Sequence, residues 1–260
     1  MALKRSEAFI LDTRKMGEAD QLVVFFTLSD GKVKGIAKSA AKSRRRFGGK
    51  LERLSRVRAT WFEREGRELA RLDSCDLLAE SFTLHQELAS AAVLGHVAEI
   101  ADTFAPEHEA DPDYFRLLGA LLDAFRGMKP GADPLPLARY FEYWTLRLHG
   151  LMPDLDLCAS CGRALASGAV VLAGASSQAL CASCSRAAPR ARGERELALS
   201  PAALEQLERI RASHPARLSW TAPSGAAAEI EAFTMALMTA FLGHPLHAHR
   251  FLVDMKLSAL

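Results

Sequence analysis

The chain has 260 residues, 49% of them hydrophobic and 25% charged, which is enough apolar material for about two domains with real cores. That balance excludes a disordered or fibrous chain. No secretory h-region and no apolar run of roughly 20 residues stands out, so the expectation is a cytosolic, cytoplasmic chain with no membrane partner.

Residues 6–76 read as short strands. Phe9-Ile10-Leu11 opens the first, Gly17-Glu18-Ala19-Asp20 is a polar turn, and Gln21 to Leu28 is an apolar, β-branched and aromatic run. Ser29-Asp30-Gly31 signals a hairpin, because Asp-Gly suits positive φ. A third strand follows, then the polar link Ser39 to Lys50, a fourth strand from about Leu51 to Glu63, and a fifth over Glu68 to Asp76. Five short strands within about 75 residues suit a small closed barrel of the OB type.

The formal net charge of the chain is only +2, yet Lys32 to Arg58 holds eleven basic residues against one acid, Glu52. Cations this dense repel one another unless a polyanion is near, and nucleic acid supplies one phosphate charge per nucleotide. A solvated charge run is the plain alternative. Strands on both sides of the cluster favour a folded nucleic-acid surface instead. The candidate binding residues are Lys32, Lys34 and Lys38 on one face of the third strand, and Lys42, Arg44, Arg45, Arg46 and Lys50 in the link. Arg56 and Arg58 on the fourth strand and Arg14 and Lys15 in the first connection complete the set. Phe47, inside the link, is a candidate for stacking on a base, whereas Trp61, inside a strand, reads as core.

From Ser81 the apolar period turns helical. Leu84, Leu88, Ala91, Gly95, Ala98 and Ala101 make one stripe, a second runs from Tyr114 to Phe125, and Leu137, Phe141, Trp144 and Leu148 make a third. The knot Tyr140-Phe141-Glu142-Tyr143-Trp144 looks like a stacking platform, but its helical spacing assigns it to packing.

Cys158-Ala159-Ser160-Cys161 and Cys181-Ala182-Ser183-Cys184 are two CxxC pairs with nineteen residues between them. Each pair can set two thiolates on one edge of a tetrahedron, so Cys158, Cys161, Cys181 and Cys184 predict a Zn2+ ribbon. Val170-Val171-Leu172 and Gln178-Ala179-Leu180 supply its hairpin. An all-sulfur set leaves no position for water, so the expected Zn2+ is structural. A zinc hydrolase or deaminase needs an open site and a nearby glutamate. Cys75, alone in a strand, reads as a buried small hydrophobe.

Residues 186–196 read as a linker. Ser200-Pro201 starts a helix that carries Leu204, Leu207 and Ile210, and a last helix runs from about Ala226 to Gly243-His244-Pro245. His244, His247 and His249 lie beyond it with no carboxylate beside them and read as a polar cap. No phosphate loop, zinc-protease motif or nucleophile elbow occurs, and no enzyme activity is expected. The fold class is α+β and multi-domain. An N-terminal OB-fold β-barrel spans 1–80, a helical bundle domain spans 81–155 and 197–260, and a four-cysteine zinc ribbon is inserted over 156–188.

This order resembles the RecO family of bacterial recombination mediators along essentially the whole chain. The residues that carry the resemblance are Glu18-Ala19-Asp20, Phe25-Phe26-Thr27, Asp30-Gly31-Lys32, Ala37-Lys38, Lys42-Ser43-Arg44 and Leu51-Glu52. Tyr143-Trp144, Leu148, Gly150-Leu151, Pro153 and the stretch Leu246 to Leu252 add to it. Ser39 stands where the family often has glycine, and His247-Ala248-His249 replaces a stretch that is often lysine, serine and arginine. The resemblance implies binding of single- and double-stranded DNA, annealing of complementary strands, recognition of the tail of the single-strand-binding protein, and action with RecR to load RecA. The residues alone leave an RNA-binding OB and zinc-ribbon protein of translation or transcription as the other reading.

Overall fold

In the computed structural model, which describes residues 2–64, 66–174, 177–189 and 194–254, the alternating N-terminal segments close into a ring. The strands are β1 (Ala2–Met16), β2 (Asp20–Thr27), β3 (Gly31–Ala37), β4 (Arg56–Glu63) and β5 (Ala70–Ala79), with a four-residue helix α1 (Arg44–Phe47) between β3 and β4. Their order is β1-β2-β3-β5-β4 in a closed barrel. β1 closes it by pairing with β2 along one half and with β4 along the other. β3 and β5 run parallel, and the other neighbours run antiparallel. This is the OB-like barrel expected from the sequence.

Alternation decides which side chains fill it. Ile10, Phe25, Val33, Val57, Trp61 and Leu72 point inward, and Trp61 meets Phe25 edge-on at 5.6 Å. Cys75 is fully buried among them, and that burial pushes its thiol up to about 12. The outward-facing Phe9 and Phe26 are covered as well. Helices α2 (Leu88–Phe104) and α3 (Pro112–Arg126) follow the barrel, and Phe115 and Tyr114 of α3 sit 4.7 Å from Phe9 and 5.8 Å from Phe26 respectively. α2 and most of α3 therefore fall with the barrel in one compact unit, Met1–Leu122, and the second unit is Asp123–Leu260.

Gly31 ends the Asp-Gly hairpin at φ +66, and a Cβ there would fall on the backbone oxygen of Glu109 and within 2.6 Å of that of Pro106. Only glycine lets the segment after α2 lie against the start of β3. The amide of Lys32 donates to the Pro106 carbonyl at 2.8 Å, and the amide of His108 donates to the Lys32 carbonyl at 3.2 Å.

The second unit contains α4 (Leu135–Leu148), β6 (Ala169–Ala173), β7 (Gln178–Leu180), α5 (Ala182–Ala187), β8 (Arg195–Leu199), α6 (Pro201–Ala212), α7 (Ser224–Leu242) and α8 (His247–Asp254). β6 and β7 form the expected hairpin, and Ser200 caps α6 by accepting from the amide of Ala203 at 3.3 Å. β8 corrects the reading of 186–196 as a linker, since its residues pair antiparallel with β6 as a third strand. Residues 190–193 lie outside the described part of the chain.

α7 packs on α4, α6, β6 and β8. Its 19 residues are long and apolar enough, with a mean hydropathy of 1.3, to cross a membrane by length and composition. This corrects the expectation that no apolar run approaches the length of a membrane span. Half of that window is buried in the protein, as befits a helix surrounded by its own unit. The knot on α4 is packing, as expected, with Tyr140, Phe141 and Tyr143 all buried.

Under that knot lies a buried charged cluster. Thr234 of α7 donates to Glu142 at 2.6 Å, and Arg139 stands 3.1 Å from the same carboxylate oxygen, with both charged side chains at least 96% buried. Replacing Glu142 with alanine strands the Arg139 cation in the interior and is expected to cost about 3–5 kcal/mol. Replacing Arg139 and Glu142 together with methionine and leucine is expected to recover most of that loss. Urea midpoints of the two variants test it, and a single-variant cost near zero would mean the pair is not the interior partner described here.

Candidate nucleic-acid interface and metal centre

The barrel sorts the cations into two groups. Lys32 is 9% exposed and serves the end of α2: its Nζ donates to the Asp102 carbonyl and lies 3.4 Å from the Asp102 carboxylate. Lys34 Nζ is bound to Glu107 at 2.7 Å, and that bond is the chief cause holding the Glu107 carboxyl below its ordinary range. Arg56 grips Glu7 with Nε at 3.1 Å and Nη2 at 2.6 Å, and Arg58 approaches the other oxygen of Glu7 at 3.8 Å. Arg14 and Arg53 share Asp12, at 2.7 Å and 2.8 Å. Lys32, Lys34, Arg56, Arg58 and Arg14 are thus matched to the protein's own acids, a correction to reading them as an open phosphate-binding set. The partners of Lys32 and Lys34 come from about 70 residues away, beyond the reach of local pattern.

The second group stays open. Lys38, Lys42, Arg44, Arg45, Arg46 and Lys50 have no acid within ion-pair distance among the described residues, and neither has Lys15. The link folds around α1 so that these charges are displayed. Arg46 donates to the Ser43 hydroxyl at 2.9 Å and to the Lys38 carbonyl at 3.0 Å, and Lys50 donates to the Arg45 carbonyl at 2.8 Å. These bonds tether the cations without neutralising them.

Two further bonds fix the link to the β1–β2 turn. The amide of Ser39 donates to the Asp20 carboxylate at 2.7 Å, and the amide of Ala41 donates to the Ala19 carbonyl at 3.1 Å. Lys15, next to that turn, therefore sits at the same end of the barrel. Ser39 adopts φ +56, which explains why glycine suits the position. Serine there costs about 1 kcal/mol of backbone strain.

Phe47 presents no open ring face for a base. It is 3% exposed and belongs to the barrel core, with Arg46 lying over its ring at 5.0 Å. The stacking assignment is corrected: an aromatic in a basic link has become the plug that holds the link down.

The four paired cysteines do come together. Cys158 and Cys161 lie on the turn after α4, Cys181 follows β7, and Cys184 is in α5. Their sulfurs all lie within 4.8 Å of one another, and Cys161 and Cys181 are 3.9 Å apart. A tetrahedral Zn2+ with bonds of about 2.3 Å needs sulfurs roughly 3.8 Å apart, so the donor set fits. The amide of Cys181 donates to the Cys158 sulfur at 3.3 Å, and this is the first of the bonds that bring that thiol down to about 6. Gly162, at φ +69, closes the first turn by donating to the Cys158 carbonyl, and Ala159 donates to the Ala179 carbonyl at 2.9 Å, joining that turn to β7. The four cysteines can hold a metal ion.

The histidine reading changes in one respect. His249 does have a carboxylate beside it: Nε2 lies 2.8 Å from Glu231, which fastens α8 to α7. Asp12 is a further site residue, absent from the set expected from the sequence. The signal was there, in an acid two positions before Arg14 on the same strand face.

A closed OB-like barrel with an unneutralised cationic link, followed by a mainly helical unit with an all-cysteine knuckle, describes a two-part protein with one basic surface and one candidate metal centre. Comparison with known proteins gives its family. Residues 1–81 match the model of the recombination protein O N-terminal domain, and residues 85–250 match that of the C-terminal domain. The chain belongs to the RecO family. It is 37% identical over 244 residues to the DNA repair protein RecO of Anaeromyxobacter sp. (strain K), covering 91% of this chain and 90% of that protein. It is 49% identical over 163 residues to the DNA repair protein RecO of Koribacter versatilis (strain Ellin345), covering 63% of this chain and 65% of that protein. With the same protein of Geobacter sulfurreducens it shares 37% identity over 182 residues, 70% of this chain and 73% of that one.

Proposed function

We propose that this chain is a non-enzymatic, cytoplasmic DNA-binding mediator of recombinational repair. In this reading it binds single- and double-stranded DNA, anneals complementary strands, and acts with RecR to load RecA onto single strands coated by the single-strand-binding protein, whose tail it recognises. The observation that carries it is the link Lys38–Lys50, whose cations are displayed at one end of an OB-like barrel and have no acid partners among the described residues. RecR, RecA and the single-strand-binding protein enter through family membership alone.

Two complementary strands repel each other through their phosphates. A surface that lowers the charge of both removes that barrier, so annealing needs no bond chemistry from the protein. With Phe47 and Trp61 in the core, the barrel offers charge in place of these two rings, and binding should follow phosphate density. Cys158, Cys161, Cys181 and Cys184 are proposed to hold a structural Zn2+, which would tie the two turns together and present no open position to a substrate.

The test is annealing of complementary labelled oligonucleotides by the purified protein, with and without the single-strand-binding protein. Acceleration that fades with salt is expected. The second reading, an RNA-binding protein, shares the barrel and the knuckle. Displacement of bound single-stranded DNA by a far smaller amount of RNA of the same length would favour it, and no acceleration at all would remove the annealing function.

A further inference from the structure

The β1 strand carries a bulge between Ile10 and Asp12. Beyond it, the Asp12 carboxylate takes one guanidinium on each oxygen: Arg53 Nη2 on Oδ1 at 2.8 Å and Arg14 Nε on Oδ2 at 2.7 Å. The exposures are graded. The Asp12 side chain is 14% exposed, Arg53 47% and Arg14 75%, so the acid lies behind and the two cations in front. Burial alone would raise the Asp12 carboxyl, but the bonds and charges of Arg53 and Arg14 more than offset it and hold the group below the usual carboxylate range. The acid is therefore charged wherever the protein is folded near neutral pH.

The place of this cluster matters as much as its geometry. Arg14 adjoins Lys15 and the turn whose Ala19 and Asp20 are bonded to Ala41 and Ser39 of the cationic link. Arg53 follows Lys50 by three residues. Arginine forks match carboxylate and phosphate by the same geometry, so a DNA backbone on the link competes with Asp12 for the same two guanidinium groups.

Resting on the DNA-binding reading above, we propose that Asp12 is an internal stand-in for a DNA phosphate. It occupies Arg14 and Arg53, so that the barrel binds DNA through fewer contacts than its cations allow and releases it readily. A mediator that must hand one strand to another gains from such a brake, because each extra phosphate contact slows dissociation.

The experiment is the salt dependence of binding to a single-stranded oligonucleotide, followed by fluorescence anisotropy, with the dissociation rate measured on the same samples. Asp12→Asn is expected to steepen the log–log slope by up to about 1.4, at about 0.7 for each arginine released, and to tighten binding by about tenfold at 0.15 M salt. Dissociation slows in proportion. Adding Arg14→Gln and Arg53→Gln to Asp12→Asn is expected to return the slope to that of the native protein.

Asp76→Asn makes the same change in net charge at another arginine pair, Asp76 with Arg5 at 3.5 Å, and is expected to leave the slope as it is. An unchanged slope in Asp12→Asn, or an equal steepening in Asp76→Asn, overturns the inference. Asp12→Ser gives the same reading if the asparagine variant is unstable. If the native protein binds no DNA at any salt, it is the proposed function that fails.

Discussion

Neutralising Lys38, Lys42, Arg44, Arg45 and Arg46 to glutamine is expected to flatten the log–log salt dependence of single-stranded DNA binding by about 3.5, because each phosphate contact on a single strand contributes about 0.7 to the slope. At 0.15 M salt the same loss corresponds to a fall in affinity on the order of 10²- to 10³-fold. Glutamine keeps the side-chain stem, and the tether from the backbone of the link to the β1–β2 turn does not involve the replaced groups. The fold should therefore survive, and circular dichroism checks that it does.

The comparison that gives this result its meaning is Lys32→Met. Lys32 caps the carbonyl of Asp102 and is nearly buried, so its loss should lower stability by about 1–3 kcal/mol and leave the salt slope alone. If the Lys32 variant flattened the slope as much as a link variant does, the division of the cations into paired and open groups would be wrong.

The second large effect concerns the knuckle. Changing Cys158 to serine, or stripping the protein with a strong chelator, is expected to remove a bound Zn2+ whose binding contributes on the order of 10 kcal/mol to folding around it. Atomic emission should find one metal ion per native chain and much less in the variant. The turn that carries Cys158 and Cys161 is joined to β7 by one backbone bond, from Ala159 to Ala179, so without the metal protease should cut between about residues 158 and 199. Because α7 packs on β6 and β8, loss of those strands should also uncover apolar surface that binds a hydrophobic dye. The cations of the link belong to the other compact unit, so the salt slope should persist. Full retention of stability and protease resistance without metal would show that the four sulfurs gather for another reason.

Local pattern was a good guide where a local cause decides structure. The Asp30-Gly31 turn, the Ser200-Pro201 helix start, the hairpin of β6 and β7, and the four-cysteine cluster each rest on a few neighbouring residues, and each is found. What remained hidden depends on partners distant in sequence. Lys32 looks like a surface lysine until Asp102 and Glu107 arrive beside it. Phe47 sits among arginines and glycines, and only barrel closure shows that it joins Leu51, Ala40 and the inner strand residues in one buried cluster.

β8 was lost for a similar reason. Arg195-Glu196-Leu197-Ala198-Leu199 follows an arginine-, alanine- and proline-rich stretch and buries one residue fully, Leu199. Its strand character comes from hydrogen bonding to β6, which no window of sequence contains. α7 shows the converse. Its composition reads as apolar on every side, and it is the packing around it, with Thr234 bonded to Glu142, that defines it as a core helix.

The burial of Phe47 couples two properties that are usually separate in a charged loop. A lysine- and arginine-rich excursion pinned only at its ends would keep attracting polyanions after its scaffold had melted. Here the anchor sits in the same interior as Trp61, so loosening that interior lets the positive groups drift apart and thins the local field. Under the proposed function, attraction for nucleic acid then becomes a report on whether the strands are closed, and damage to a distant apolar position is expected to weaken binding without touching a single charge.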